Sequence, residues 1–186
     1  MKIELIEDKH LDMLQEFCNT CATLGYNNNS SIEAMRLEWC QKTGKYFCAV
    51  NDNKIIAVAG CHPFIQLNRF YKNPWRILFR GCELPNHDTF KGLSKSDWNS
   101  ITQREMIPKF IEVCNSDELF ISTNISNDNS NGKALRNHRL MGLLAKQGIL
   151  THIDDITVYD VYQSIWQLNI KIYNKKRALI RNNYVD

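Results

Sequence analysis

The stretch 75–85, WRILFRGCELP, constrains the fold more than any other part of the sequence. Residues 77–79 are apolar in a row, which is typical of a strand with side chains buried on both faces, in the middle of a sheet. Its far end carries four residues that bring charge, backbone freedom or reactive groups: Arg80, Gly81, Cys82 and Glu83. We therefore predict a central strand whose carboxyl end carries the functional site of the protein.

The composition is that of an ordinary globular chain. It has 186 residues, 44% of them apolar and 23% charged, which suits one domain, placed at residues 1–173, with 174–186 as a basic tail. The mean hydropathy is −0.39 and no long uncharged apolar run is present, so a membrane-spanning helix is not expected. Charges at Lys2, Glu4 and Glu7 interrupt the place of a secretory signal, and seven scattered cysteines are typical of reduced thiols. We expect a cytoplasmic protein.

Apolar periodicity predicts an alternation of strands and helices. Strands are expected at residues 2–6, 46–50, 55–60, 75–84 and 119–123, followed by two more between 149 and 173. Helices are expected around residues 11–21, 30–43, 100–114 and 132–147. This order predicts an α/β fold with a mixed, largely antiparallel sheet flanked by helices.

Four local signals sharpen this prediction. The polar residues 51–54 are expected to form the turn of an antiparallel hairpin between the second and third predicted strands. Pro108 lacks an amide, so the helix there either bends or a second short helix starts at it. Gly148 is a natural left-handed residue for the end of a helix. The pair Asp154 and Asp155 is predicted as the turn between the last two strands.

This order, with AKQGI at residues 145–149, resembles the GNAT family of acyl-CoA-dependent N-acyltransferases over nearly the whole chain. The resemblance implies that strands 75–84 and 119–123 splay apart around the acyl thioester. The helix after the first of them would receive the pyrophosphate on its free amides. Acetyl-CoA would be the co-substrate and an unidentified amine the acceptor.

Two motifs of that family are altered. The family's pyrophosphate loop has a Gln or Arg followed by closely spaced glycines, whereas the loop here has Gly92 alone, in KGLSKS at residues 91–96. The loop is either a degenerate anion cradle or a plain solvated loop. The cradle would use Lys91, Gly92, Ser94, Lys95 and Ser96. The family's tyrosine, which commonly protonates the leaving thiolate, falls on Leu144.

Aminolysis of a thioester needs a base for the amine and polarisation of the carbonyl. Glu83 is our first candidate for the base, because partial burial would raise its pKa toward that role. The alternative is a surface carboxylate paired with Arg76 or Arg80. His62, after the third strand, and His87, just past the central strand, are further candidates, and each is otherwise an ordinary loop residue.

Further residues are assigned to the cofactor by the resemblance. Arg80 and Cys82 lie at the splayed end, where a backbone amide near Cys82 would donate to the oxyanion. The thiol of Cys82 is either a nucleophile or a small buried group. Asn124 matches the position where the family often bonds the pantetheine arm. Arg136 and Arg139 share one helix face and either meet the ribose phosphate or are solvated.

The remaining signals concern metals and polyanions. Cys18 and Cys21 have the spacing of a metal or redox pair, but they lie on an apolar helix stripe and no second pair is suitably spaced, so we predict no metal. The basic end of the chain either attracts a polyanion or is a soluble terminus. Two other functions therefore stay open. One is a GNAT-like binding protein without catalysis, for nucleic acid or a protein partner. The other is nucleic-acid base modification, as in the phage-encoded Mom type, whose Arg followed shortly by Leu-Pro is similar to residues 80–85.

Overall fold

The structure, a computed structural model, describes residues 2–20, 44–82, 105–124, 141–158 and 161–182. Its strands are β1 (Lys2–Leu5), β2 (Lys45–Asn51), β3 (Lys54–Pro63), β4 (Trp75–Cys82), β5 (Leu119–Asn124), β6 (Leu150–Val158) and β7 (Val161–Leu168). Its helices are α1 (Leu11–Thr20), α2 (Ile107–Cys114), α3 (141–146) and α4 (Ile170–Asn182). Short 3-10 helices occur at Asp8–His10 and Ile65–Leu67.

The described strands form one seven-stranded sheet in the order β1-β2-β3-β4-β5-β7-β6. The pairs β1–β2, β2–β3, β5–β7 and β6–β7 are antiparallel. The predicted α/β fold with a mixed, largely antiparallel sheet flanked by helices is confirmed. The chain divides into two compact units, Met1–Pro63 with Ile77–Cys114 (the first unit) and Phe64–Arg76 with Asn115–Asp186 (the second unit).

In the first unit, α1 contributes Leu14 and Phe17 to the core, three residues apart on one face, and both are at most 1% exposed. The core they join contains Ile6, Tyr46, Cys48, Ile55 and Val58. On α2, the rings of Phe110 and of Phe47 from β2 meet edge to face at 5.5 Å.

The predicted hairpin between β2 and β3 is confirmed, with a tighter turn than expected. Asp52 and Asn53 both have positive φ, 49° and 60°, which is the backbone of a two-residue type I′ turn. Asp and Asn tolerate that conformation better than most residues with a side chain. Further along the hairpin, Tyr46 pairs with Gly60. A Cβ at Gly60 would lie 2.3 Å from Tyr46 Cε1, so the tyrosine ring occupies the space that glycine leaves.

In the second unit, the core is aromatic and covers one face of β5 and β7. The ring of Phe120 is contacted edge to face by Phe64 at 6.1 Å and by Tyr71 at 4.8 Å. Ile165 and Leu67 complete this buried cluster. The connection that carries Phe64 and Tyr71 is tied at both ends, because Phe64 N–H donates to Pro74 O at 2.7 Å and the Glu118 carboxylate accepts from two amides at residues 72 and 73.

Two helix ends behave as their sequences predict. The α-helix α2 begins at Ile107, directly after π-helical residues 105 and 106, so Pro108 is its second residue and no carbonyl of α2 requires its missing amide. At the end of α3, Gly148 has φ +73°. Gly148 N–H donates to Ala145 O at 2.8 Å and Ile149 N–H to Leu144 O at 3.0 Å, the two bonds of a Schellman cap.

The last quarter of the chain differs from the prediction in two respects. Asp154 and Asp155 are not a turn, because β6 runs through them to Val158 and the reversal falls between Val158 and Val161. The strand predicted to run to residue 173 ends at Leu168, and the basic segment folds as α4. The helix α4 contains residue 173, the predicted boundary between the domain at 1–173 and the basic tail at 174–186. That division of the chain stays a prediction. None of the helices described is long and apolar enough to span a bilayer.

Replacing Gly60 with alanine is expected to destabilise the protein by about 1–3 kcal/mol, because the new methyl group overlaps the Tyr46 ring and an overpacked core must shift. The measurement is the free energy of unfolding from denaturant titration.

The matched control is Gly142→Ala, in α3, where an added Cβ meets nothing within 4 Å. This change is expected to stabilise the protein by about 0.4–1 kcal/mol, since alanine loses less backbone entropy than glycine on folding. Equal effects of the two substitutions would contradict the close packing of Tyr46 on Gly60.

Candidate functional site

The structure places some of the predicted site residues and leaves others outside its described ranges. Glu83, His87, Lys91, Gly92, Ser94, Lys95, Ser96, Arg136 and Arg139 lie outside the described residues, and their roles stay predictions. Arg80 and Cys82 lie on β4, and Asn124 is the last residue of β5; for these three the backbone is described. His62 was expected after the third strand, but it lies inside β3, one residue before its end, with Nδ1 3.0 Å from Pro63 O.

The buried guanidinium of Arg76 is bonded near the end of β5, because its partner Ser122 lies two residues before Asn124. Asn124 is in register with Gln163 of β7. The side chain of Gln163 accepts a hydrogen bond from Arg76 Nη2 at 2.5 Å, and Ser122 Oγ accepts from Arg76 Nε at 2.8 Å. The guanidinium carbon lies 5.4 Å from the centre of the Phe64 ring. We call Arg76, Ser122, Gln163 and Phe64 the Arg76 cluster.

The Arg76 cluster keeps a charge inside the protein. Arg76 is 5% exposed and Gln163 8% exposed. Arginine does not lose its proton in proteins, so the charge must be stabilised where it lies. The amide and hydroxyl oxygens and the aromatic face provide part of that stabilisation. The cluster joins β4, β5 and β7, which are consecutive in the sheet.

A second polar group lies on β6 and β7. Asp155 Oδ1 accepts a hydrogen bond from Ser164 Oγ at 2.5 Å and lies 2.8 Å from His152 Nε2. The His152 ring meets Trp166 edge to face at 4.8 Å. The carboxylate stands between the hydroxyl and the imidazole, so the histidine is not placed to take the serine proton as it would in a nucleophilic triad. The group fastens β6 to β7.

Cys48, Cys61 and Cys114 are buried free thiols in the first unit. Burial, and to a lesser extent the Glu4 carboxylate, raises the pKa of Cys48 to about 12. Cys61 and Cys114 lie with their sulfur atoms 3.3 Å apart, and this hydrogen bond, together with burial, raises the pKa of Cys61. With their pKa values raised, Cys48 and Cys61 stay protonated at neutral pH and are poor nucleophiles. Within the described ranges no group of three or more His, Cys, Asp or Glu is arranged to hold a metal ion.

A buried histidine supports the amino-terminal strand. His10 is 1% exposed; its Nδ1 accepts from Glu7 N–H at 3.0 Å, so Nε2 carries the proton directed at Glu4 Oε2, 3.2 Å away. The hydrogen bond from His10 lowers the pKa of Glu4, and Lys9 adds to the effect. This arrangement connects β1 to the start of α1 and is structural.

Comparison with solved structures identifies the architecture. FeeM, an N-acyl amino acid synthase from uncultured soil microbes, superimposes with a TM-score of 0.60 over 94% of this chain and 98% of its own, at 11% identity. The aminoglycoside acetyltransferase AAC(6')-Ib in complex with coenzyme A gives 0.57 over 95% and 98%, at 15% identity. A protein from Desulfovibrio desulfuricans described as a GNAT-family acetyltransferase gives 0.55 over 89% and 97%, at 7% identity. The chain has the GNAT fold. No protein-family model and no curated protein matches its sequence.

The end of α3 contains Leu144, a position that the sequence resemblance assigns. The resemblance maps the GNAT tyrosine onto Leu144, and that residue is half-buried in the helix. Its carbonyl accepts from Gln147 N–H at 3.2 Å and from Ile149 N–H at 3.0 Å, so the cap described above fixes its position.

Arg76 is the residue of this GNAT-fold protein that sequence reasoning missed. We considered it only as an exposed partner for Glu83, whereas it is buried and bonded to Ser122 and Gln163. The available signal was its place directly before the apolar residues 77–79 of the central strand, combined with polar residues inside β5 and β7.

Replacing Arg76 with methionine is expected to destabilise this GNAT-fold protein by at least about 2 kcal/mol, because the half-buried hydroxyl oxygen of Ser122 and the buried amide oxygen of Gln163 lose a charged donor. Arg69→Met, at an exposed position on the preceding connection, is the matched control and should stay within about 0.5 kcal/mol of wild type.

A double variant separates the hydrogen bonds from the volume change. Arg76→Met with Gln163→Leu should recover part of the lost stability, since removing both partners leaves fewer unsatisfied groups than removing one. The measurement is chemical unfolding of the wild type and the three variants. A loss at Arg76 no larger than at Arg69 would show that the cluster does not stabilise the second unit.

Proposed function

We propose that the protein is an acyl-CoA-dependent N-acyltransferase that transfers an acetyl group from acetyl-CoA to an amine. The observation that carries the proposal is the GNAT fold, shared over nearly the full length of this chain with AAC(6')-Ib in complex with coenzyme A and with FeeM, an N-acyl amino acid synthase. The amine acceptor is proposed only as a class.

The chemistry we propose is direct aminolysis. The nitrogen of a neutral amine attacks the thioester carbonyl, a C–N bond forms and the C–S bond breaks. Glu83 takes the proton from the amine, directly or through water, with His62 and His87 as the alternative bases. A backbone amide near Cys82 stabilises the developing oxyanion.

The donor is proposed to be held by residues around the ends of β4 and β5. Asn124 would bond the pantetheine arm, and Arg80 would contribute a positive charge. The phosphates would meet Lys91, Gly92, Ser94, Lys95 and Ser96, and the ribose phosphate Arg136 and Arg139. Because Leu144 has no proton to give, the thiolate that leaves would be protonated by water.

A second candidate function is a binding protein on the same fold that has lost catalysis. Two observations favour it: Leu144 stands where the family has its tyrosine, and the loop after the central strand has Gly92 as its sole glycine. Such a protein would either not bind acetyl-CoA or bind it without turnover, which separates it from the enzyme.

Acetyl-CoA is expected to raise the melting temperature, because a ligand that binds only the folded state stabilises it as its concentration exceeds the dissociation constant, by about 2.7 kcal/mol at a hundredfold excess. Thermal unfolding is followed over micromolar to millimolar acetyl-CoA, with pantetheine as the control for the missing phosphates. No shift at millimolar acetyl-CoA would rule out the enzyme as proposed.

If acetyl-CoA binds, Glu83→Gln should reduce turnover by about 10²-fold or more while the affinity for acetyl-CoA stays unchanged, since a general base acts on the amine. Turnover is measured as free coenzyme A thiol released with a panel of amines. The control is Glu112→Gln, whose carboxylate is 70% exposed on α2 and should leave the rate unaltered. Full activity of the Glu83 variant would remove Glu83 from the mechanism.

A further inference from the structure

The helix α4 has an unbalanced charge. Its sequence IKIYNKKRALIRN contains five cationic residues and no carboxylate. They are Lys171, Lys175, Lys176, Arg177 and Arg181. The whole chain has a formal net charge of +3, so the residues outside this helix sum to −2. The positive charge of the protein is therefore concentrated in one element.

The helix is anchored through its apolar side. Tyr173 is buried, and Ile172 Cδ1 lies 3.3 Å from the place where a Cβ at Gly148 would be. Asn169 caps the first turn, its Oδ1 accepting from Ile172 N–H at 3.1 Å and its carbonyl from Tyr173 N–H at 2.9 Å. These contacts hold α4 without using a cationic side chain.

The opposite side of α4 presents cations to solvent. Lys171 and Lys175 are exposed and lie one helical turn apart, on the same side of the helix. Lys176 and Arg177 are half-buried. Across the ranges that the structure describes, no carboxylate forms an ion pair with any of these four. Lys171 also lies in the first turn, where the helix dipole disfavours a cation, so helix stability does not account for it.

We propose that α4 is a docking surface for the phosphate backbone of a nucleic acid. Two exposed lysines one turn apart, with Lys176 and Arg177 beside them, neutralise phosphates without reading bases, and this predicts weak, salt-dependent binding with little sequence preference. Insertion into a lipid surface fits less well, because the exposed residues described on α4 are Lys171, Asn174 and Lys175, and a helix that lies in a membrane needs exposed apolar side chains. This surface is independent of the proposed acyl transfer.

The test is fluorescence anisotropy of a labelled 20-base-pair duplex, titrated with the full chain at salt concentrations from 50 to 200 mM. Each phosphate contact contributes a slope of about −0.9 to the plot of log affinity against log salt, so four contacts give a slope between about −3 and −4. Lys171→Gln with Lys175→Gln should reduce that slope by about 2 units and weaken binding at 50 mM salt at least tenfold.

The matched control is Lys2→Gln with Lys72→Gln, which removes the same charge from two exposed lysines outside α4 and should change the slope by less than half a unit. Circular dichroism confirms that all variants keep their helix content. The proposal is overturned by equal losses in both double variants, by the absence of duplex binding at 50 mM salt, or by binding to phosphatidylserine vesicles or polyglutamate without binding to the duplex. None of these binding experiments contains an acyl donor, so their result does not depend on the proposed acyl transfer.

Discussion

The second unit depends on the way it accommodates the charge of Arg76. A guanidinium that is 5% exposed would be costly without partners, and here an amide oxygen, a hydroxyl oxygen and an aromatic face are provided by Gln163, Ser122 and Phe64. Because these partners come from two different strands and a connection, the charge is best satisfied only when β5 and β7 pair in the observed register.

The predictions that succeeded rest on local chemistry. A two-residue turn needs positive φ, a helix end needs a residue that adopts it, and a proline needs a position without an amide bond, so Asp52, Asn53, Gly148 and Pro108 fixed their own surroundings. The buried central strand was recognisable because residues 77–79 are apolar without interruption. The order of these elements was sufficient to suggest the fold.

The predictions that failed concern residues whose environment comes from distant parts of the chain. Asp154 and Asp155 were predicted as a turn, but Ser164 and His152 provide Asp155 with partners inside the sheet. Tyr173 alternates with its neighbours as in a strand, yet Asn169 caps a helix there. Of the candidate site, the position of Asn124 at the end of β5 followed from the sequence, whereas the Arg76 cluster beside it required the pairing of three strands.

The edge strand β6 affects how readily another polypeptide chain can pair with the sheet. At β6 the register shifts between His152 and Asp154, and the carboxylates of Asp154 and Asp155 are exposed there. A neighbouring polypeptide that tried to extend the sheet would meet an uneven row of amides and carbonyls and two negative charges. The same residues that misled the interpretation of the sequence thus make this edge a poor template for aggregation.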